Sequence, residues 1–287
     1  MIAVFKHELG SYFHSLTAYV FGAFLLAFMG LGAMLYNIQA AYSNFEYVLS
    51  FGSLVMVVIV PILTMRVLAE KRKQKTDQLL YSLPITTLEI ILGKYLAMLV
   101  LFLIPMGIIS LYPLIFSQFG DVYLPTSYGS ILAFFIMGSA LIALGMFISS
   151  LTDNQGLAAG VGIAIILFNY YSVSLSEQVS STAIGSVIAT LVLILVLGAI
   201  IRYLTGNENL AFWCSIALIA VVAILFYLDS SAFEGMLPQL MAQLSLFDRF
   251  TTIVNGVFDM TAIVYYLSII VFFLFLSVQS LEKRRYN

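Results

Sequence analysis

The side chains that could do covalent chemistry are few and are poorly placed for catalysis. The chain has two histidines, His7 and His14, and one cysteine, Cys214. The histidines lie near the N-terminus and the cysteine lies in an apolar run, so no nucleophile has a recognisable base partner. Gly93 and Lys94 lack the upstream glycine and the following hydroxyl of a phosphate-binding loop. The sequence therefore predicts no catalytic, metal or cofactor site, and the chain by itself should not hydrolyse ATP.

The chemistry that remains is charge recognition, and it is concentrated in residues 66–94. Lys71, Arg72, Lys73 and Lys75 crowd together there, between long apolar runs. Each Lys or Arg costs about 2.5 to 3.5 kcal/mol at the centre of a membrane helix, so this segment must lie in water. Basic loops are retained on the cytoplasmic side. The four side chains could pair with acids of a partner protein or with anionic lipid headgroups.

The composition indicates the kind of element that must position this loop. Hydrophobic residues make up 62% of the chain and charged residues only 9%, whereas soluble proteins carry about 25% charged residues. There are too few charges to cover a soluble core of this size, and no basic surface suits nucleic acid. The chain is therefore predicted to be an integral membrane protein.

Membrane-spanning helices are predicted wherever about 20 mainly apolar residues follow one another. The sequence thus predicts an all-α integral membrane protein, a helical bundle of about eight spans that forms a single transmembrane domain over residues 1–287. The predicted spans are 17–36, 47–65, 90–116, 128–150, 156–173, 182–201, 210–228 and 262–281.

Two amphipathic segments are expected to lie at the membrane surfaces. Residues 1–16 form an N-terminal interfacial helix, with an apolar face made by Ile2, Phe5, Leu9, Tyr12, Phe13 and Leu16. Residues 229–261 form one or two helices on the outer surface, with apolar stripes made by Leu237, Leu240, Met241, Leu244 and Phe247 and by Phe250, Ile253, Val254 and Val257.

Eight spans return both termini to the side of the basic loop, which is predicted to be the cytoplasmic side of the membrane. Under this topology Arg249 is the one basic residue on the outer side, where the acids include Glu46 and Asp121. No span centre carries an ionisable residue, which disfavours an ion-coupled carrier.

Small and polar residues inside the spans are interpreted as packing features. Asn169 is expected to make an interhelical hydrogen bond rather than a substrate contact. Glycines in the fourth and fifth spans should let helices approach closely. These are Gly138, Gly145, Gly156, Gly160 and Gly162.

The charged segment also resembles a known family pattern. From Glu70 to Lys94 the chain reads EKRKQKTDQLLYSLPITTLEIILGK, which resembles the pattern E…GT.E.LL.SLPI…GK between the second and third spans of type-2 ABC exporter permeases. Lys75 stands where the pattern has glycine, and Gln78 where it has an acid. Residues 245–285 are similar to the last span of the GldF/NosY-like branch. The family core has six spans, so residues 182–228 would be an extra hairpin, or the span count would be six.

The resemblance implies a transmembrane permease subunit of an ATP-driven exporter, in which residues 66–94 form a coupling loop to a separate cytoplasmic ATPase. ATP and magnesium would be bound by that ATPase and not by this chain. Within the loop, Thr76 would cap a short helix, Asp77 would favour its dipole and Pro84 would end it. The residues implied in ATPase coupling are Glu70, Thr76, Asp77, Leu79, Leu80, Leu83 and Pro84.

The other implied partners are a second permease subunit, identical or related, an extracytoplasmic accessory protein and membrane lipids. A rival hypothesis uses the same loop differently. The chain would then be a membrane scaffold that carries no substrate and transmits ATPase-driven motion to an outer partner. Transport of a labelled substrate would distinguish the two hypotheses, and neither names the cargo.

Overall fold

The architecture comes from a computed structural model that describes residues 1–70, 85–178, 182–205, 208–228, 230–257 and 259–286. Over these residues the chain is helical, with turns and short loops between helices and no strand. The predicted all-α membrane fold is confirmed. The helices are α1 (Ile2–His14), α2 (Leu16–Gly32), α3 (Glu46–Met65), α4 (Thr87–Ile109), α5 (Tyr112–Phe116), α6 (Leu124–Leu151), α7 (Gln155–Gln178), α8 (Ala183–Thr205), α9 (Glu208–Leu228), α10 (Met236–Gln243), α11 (Leu246–Val254) and α12 (Met260–Tyr286).

In the part of the chain that the structure describes, six helical segments are long and apolar enough to cross a membrane. Two of them include a π-helical continuation, Ala33–Gln39 after α2 and Arg66–Glu70 after α3. The six segments are Leu16–Gln39, Glu46–Ala69, Thr87–Phe116, Leu124–Leu151, Gln155–Gln178 and Met260–Lys283.

The predicted sixth and seventh spans correspond to α8 and α9. Their apolar stretches, Ala183–Ala199 and Phe212–Leu228, are shorter than those of the other six. The two helices pack together as a hairpin, and most of their large apolar side chains are exposed. The helices are therefore present where they were predicted, and their crossing of the membrane stays a prediction.

The chain divides into two compact units. Unit 1 comprises Met1–Phe168 and Arg249–Arg285, and unit 2 comprises Asn169–Asp248 and the C-terminal pair Tyr286–Asn287. Unit 1 holds α1 to α6, most of α7 and nearly all of α12. Unit 2 holds the α8–α9 hairpin and α10.

Helix α6 forms the centre of unit 1, because most of its side chains from Ile131 to Ser150 are buried. Its glycines allow the close approach that the sequence predicted. A methyl group added at Gly138 would collide with the ring of Phe102 on α4, and one added at Gly145 would collide with Thr64 on α3. The packing interpretation is confirmed at both positions.

The glycines of α7 behave differently from one another. A methyl group at Gly162 would come within 3.1 Å of Pro61, so this glycine also serves a helix contact. Around Gly160 nothing lies within 4 Å, and Gly156 meets only Asn154 of its own turn. The packing interpretation is wrong at these two positions, because they face open space or their own turn.

Asn169, the main polar residue predicted within a span, makes the structural hydrogen bonds that were expected. Its side-chain amide donates to the carbonyl of Leu244 at 2.9 Å, and its amide oxygen accepts from the backbone N–H of Leu246 at 2.9 Å. The partner is the turn between α10 and α11 rather than another span. Asn169 therefore fixes that turn within unit 2.

The predicted outer segment folds as a 3-10 turn (Ser230–Phe233) followed by α10 and α11. Phe250 and Ile253 of its second apolar stripe are buried inside unit 1, whereas Val257 of the same stripe is exposed. Its first stripe is only half-buried along α10, and Leu244 is exposed. Arg249, the lone basic residue predicted on this side, lies 4.2 Å above the ring of Tyr265, a cation–π contact.

Candidate functional site at the base of the charged loop

The residues that flank the charged loop define the candidate site, which we call the loop base. It consists of α1, the π-helical segment Arg66–Glu70, the start of α4, and the side chains that these elements contact. Glu70 is the last residue of the π-helical segment, and its side chain is outside the described part of the structure. The remaining predicted coupling residues also lie outside the described residues. They are Thr76, Asp77, Leu79, Leu80, Leu83 and Pro84.

A serine of the central helix α6 holds the chain where it leaves α3. The hydroxyl of Ser149 accepts from the backbone N–H of Ala69 at 3.2 Å and donates to the carbonyl of Met65 at 3.2 Å. The N–H of Leu68 lies 3.4 Å from the same hydroxyl. A π-helix shifts the regular backbone pairing, and π-helical turns are rare and are often found at functional sites. Ser149 therefore compensates the backbone of a segment with unusual geometry.

A buried ion pair joins three elements of the loop base. The ammonium group of Lys94 on α4 lies 3.0 Å from the carboxylate of Glu8 on α1, and both side chains are only 3% exposed. The same ammonium donates to the carbonyl of Val67 at 3.0 Å. A buried charge is tolerated only when it is paired and hydrogen-bonded. The position of Val67, three residues before the end of the described segment, is therefore tied to α1 and α4.

The packed face of α1 differs from the predicted apolar face. Val4, Glu8 and Tyr12 are buried, at a spacing of four residues along one side of the helix. Ile2 and Phe13 of the predicted face are exposed. The reason is that Glu8 must reach Lys94, and Val4 packs closely on Gly93, where an added methyl group would come within 3.0 Å. The helix is confirmed, and its exposed apolar residues suit the predicted membrane interface.

The start of α4 is fixed by its own cap and by the C-terminal helix. The Thr86 hydroxyl accepts from the N–H of Glu89, and the Glu89 carboxylate accepts from the N–H of Thr86, both at 3.3 Å, which is a capping box. The hydroxyl of Thr87 donates to the carboxylate of Glu282 on α12 at 2.7 Å. The start of α4 is therefore fixed at a defined residue.

The sequence reasoning missed most of these contacts. Glu8, Ser149 and Glu282 were not singled out, and Lys94 was considered only in the family pattern and in the rejected phosphate-binding motif. Two signals were present. Glu8 lies four residues from Val4 and from Tyr12, so an acid shares a face with apolar residues and needs a partner. Thr86 and Glu89 have the spacing of a capping box.

The opposite ends of α3 and α6 enclose a polar cavity of about 320 Å³, which we call the end cavity. Glu46, predicted in an outer loop, is instead the first residue of α3 and is only 5% exposed. Its carboxylate accepts from the hydroxyl of Ser127 on α6 at 3.0 Å. The other polar side chains that line the cavity are Asn44, Tyr47, Asp121, Tyr123, Thr126 and Asn255.

The loop base and the end cavity are separated by the full lengths of α3 and α6. Helix α3 has 20 residues, which is about 30 Å at 1.5 Å per residue and equals the hydrocarbon thickness of a membrane. The described loop base holds buried, paired charges, and the described residues that line the end cavity include two carboxylates and no basic residue. Such an arrangement suits mechanical linkage at one end and an accessible polar surface at the other.

Comparison with known proteins identifies a family that matches this chain. A family model described as ABC-2 family transporter protein matches residues 33–228, which is more than half of the 287 residues. The matched region runs from the end of α2 to the end of α9. No curated protein matches the chain significantly.

Proposed function

Because the chain belongs to the ABC-2 family of transporter proteins and is thus a transmembrane subunit of an ABC transporter, we propose that it couples a membrane translocation path to a separate cytoplasmic ATPase. The ATPase would bind ATP and magnesium and supply the hydrolytic activity. The observation that carries the proposal is the double contact of Lys94 with Glu8 and with the Val67 carbonyl.

The loop base is suited to transmit force from the loop to the helices. A push on residues 71–84 would reach Glu70 and Ile85, the described residues on either side. On one side the chain is held by Ser149 and Lys94, and on the other by the Thr86 cap and the Thr87–Glu282 bond. Packed cores and bonded networks move between discrete arrangements rather than deforming continuously. Force on the loop would therefore move α1, α3, α4 and α12 together.

The docking surface itself is proposed from the resemblance. Thr76 and Asp77 would begin a short helix, the leucines would fill an apolar groove on the ATPase, and Pro84 would end the helix. Glu70 would lie at the entry to this helix. The proposed contact leucines are Leu79, Leu80 and Leu83.

We also propose how the permease and ATPase subunits assemble in the membrane. Two permease subunits, identical or related, would rock about a shared interface when two ATPase subunits close on ATP. Both termini and residues 66–94 would face the cytoplasm of a bacterial cell, and the end cavity would face outward, available to an accessory protein. The ending at residues 245–285 supports assignment to the GldF/NosY-like branch.

The decisive experiment measures association with the ATPase. The tagged chain is expressed with its neighbouring genes, purified in mild detergent, and its partners are identified by mass spectrometry. An ATP-binding cassette protein is expected in about equal amount. In the double variant Leu79→Asp and Leu83→Asp, this protein is expected to be lost while membrane insertion remains.

A matched control places the same chemical change at the opposite end of unit 1. Ile115 and Phe119 are exposed apolar residues with the same spacing of four, so Ile115→Asp with Phe119→Asp should leave the ATPase bound. Undiminished association of the leucine variant would contradict the docking proposal. Association combined with ATPase stimulation, but without transport of any offered substrate in vesicles, would favour the scaffold hypothesis.

A further inference from the structure

The end cavity carries negative charge that the surrounding described groups do not neutralise. Glu46 is only 5% exposed, and within the described part of the chain its carboxylate has one partner, the hydroxyl of Ser127 at 3.0 Å. Asp121, the second carboxylate of the lining, is exposed and forms no hydrogen bond or ion pair with a described side chain. A buried carboxylate is costly unless it is paired with a cation. The cavity therefore offers a place for a positive charge.

The described basic residues do not supply this charge. Arg249 on α11 lies over the ring of Tyr265 and does not line the cavity. Residue 258, which follows the lining closely in sequence and is outside the described part, is a phenylalanine and carries no charge. The basic side chains outside the described part belong to the charged loop and to the end of α12, and both segments begin at the loop base. They are Lys71, Arg72, Lys73, Lys75, Arg284 and Arg285.

Aromatic side chains lie beside the two carboxylates. Tyr47 on α3 and Tyr123, just before α6, both line the cavity and are exposed. The Tyr47 ring is stacked on that of Tyr36 at 6.1 Å and lies 5.3 Å from that of Tyr42, so its position is supported by neighbours. The face of an aromatic ring is negative and attracts cations. The lining thus combines full negative charges with the kind of ring that binds ammonium groups.

The size of the cavity suits an organic cation better than a metal ion. Its volume of about 320 Å³ is at the lower end of small-molecule pockets, which measure about 300 to 1,000 Å³. A metal ion needs several ligands that converge on one point, and the described residues contain no group of three His, Cys, Asp or Glu side chains that could hold one. The amides of Asn44 and Asn255 add oxygens that can accept from an ammonium group.

We propose that the end cavity binds a small organic cation through its ammonium group. The carboxylates of Glu46 and Asp121 provide the counter-charge, and the ring of Tyr47 provides a cation–π contact. All the residues that line the cavity belong to unit 1. The proposal does not depend on coupling to an ATPase, and it can be tested on the permease chain alone.

The test is isothermal titration calorimetry of the full chain in mild detergent at low ionic strength. The probe is n-butylamine, which is protonated at neutral pH, and n-butanol is its neutral counterpart. Glu46→Gln should weaken amine binding about tenfold or more, because a hydrogen bond to a charged group is worth about one to two powers of ten in a binding constant. Asp121→Asn should weaken it about two- to fivefold, since this carboxylate is exposed to solvent.

Matched variants separate the proposed site from general attraction to surface charge. Glu234→Gln removes an exposed carboxylate that does not line the cavity, so amine binding should stay unchanged. Tyr47→Phe keeps the ring and should keep the affinity, whereas Tyr47→Leu should lose about two- to fivefold.

Three results would overturn the proposal. They are the absence of amine binding by the natural chain, equal binding of n-butanol, and an amine affinity that survives both Glu46→Gln and Asp121→Asn. Binding of Ca²⁺ that is lost in Glu46→Gln and that the amine cannot displace would also overturn it, because the cavity would then be a metal site.

Discussion

The two ends of unit 1 are built from the same helices in opposite ways. At the loop base, a lysine and a glutamate are buried against each other and against the backbone of the segment that leads to the loop. At the end cavity, a buried glutamate accepts a hydrogen bond from a serine and borders an open polar space. Both ends bury a carboxylate, Glu8 at one and Glu46 at the other.

The difference lies in how each carboxylate is stabilised. Glu8 faces a cation inside protein, where removing one partner leaves the other charge without compensation. Glu46 lies in the first turn of α3, where the helix dipole favours a negative charge, and it borders a cavity that admits water. The loop base is therefore expected to be rigid and intolerant of change, and the end cavity to be tolerant and accessible.

The largest expected effect comes from breaking the buried pair. Lys94→Met should lower the free energy of unfolding by about 3 to 5 kcal/mol, because Glu8 is left charged and buried. An SDS titration in mixed micelles would measure the change. The double variant Lys94→Met with Glu8→Leu should recover most of the loss. A single variant as stable as the natural chain would remove the contrast between the two ends.

The next largest loss of stability is expected at the close contact that holds α3 against α6 near the loop base. Gly145→Ala should cost about 1 to 3 kcal/mol, because the added methyl group meets the buried, β-branched side chain of Thr64. The same titration measures it. Gly160→Ala is the control, since nothing lies within 4 Å of that position, and it should be neutral or slightly stabilising. Equal costs at both positions would contradict this packing.

A smaller effect is expected from neutralising the buried carboxylate at the end cavity. Glu46→Gln keeps an oxygen that can accept from Ser127 and loses only the charge at the start of α3. The expected cost is about 0.3 to 1 kcal/mol, the usual size of a helix-dipole contribution. The free energies of unfolding of Glu46→Gln and Lys94→Met are measured in the same series of SDS titrations and compared. A loss as large as that of Lys94→Met would show that both ends depend equally on buried charge.

The smallest effect should come from an exposed cap near the end cavity. The carboxylate of Asp259 accepts from the hydroxyl and the N–H of Thr261 at the start of α12. These bonds hold the pKa of Asp259 below its usual range. The ionised Asp259 carboxylate therefore adds to the free energy of unfolding at pH values above the ordinary carboxyl pKa. This stabilisation is lost as the pH falls through the lowered pKa of Asp259. Thermal midpoints of Asp259→Ala and the natural chain should differ slightly at pH 7 and converge in acid.

The helices could be predicted from the sequence because each depends on a continuous local pattern. Apolar runs of about 20 residues identified the long helices, and Asn169 and Gly145 were correctly interpreted as packing features. The contact between Glu8 and Lys94 could not be found in this way. The two residues are 86 positions apart, and no periodicity relates them. Glu46 was misplaced for a related reason, since an acid at the first residue of a helix has the same local sequence as an acid in a loop.

The buried ion pair also determines when α1 can dock during synthesis of the chain. Glu8 emerges from the ribosome 86 residues before Lys94, an interval of roughly 4 to 17 s at 5 to 20 residues per second. Until then Glu8 lacks the Lys94 ammonium group that it faces in the folded protein, and because a buried charge needs its partner, α1 is expected to stay at the hydrated surface. The N-terminal helix is thus made first and docks only after α2, α3 and the charged loop have been translated.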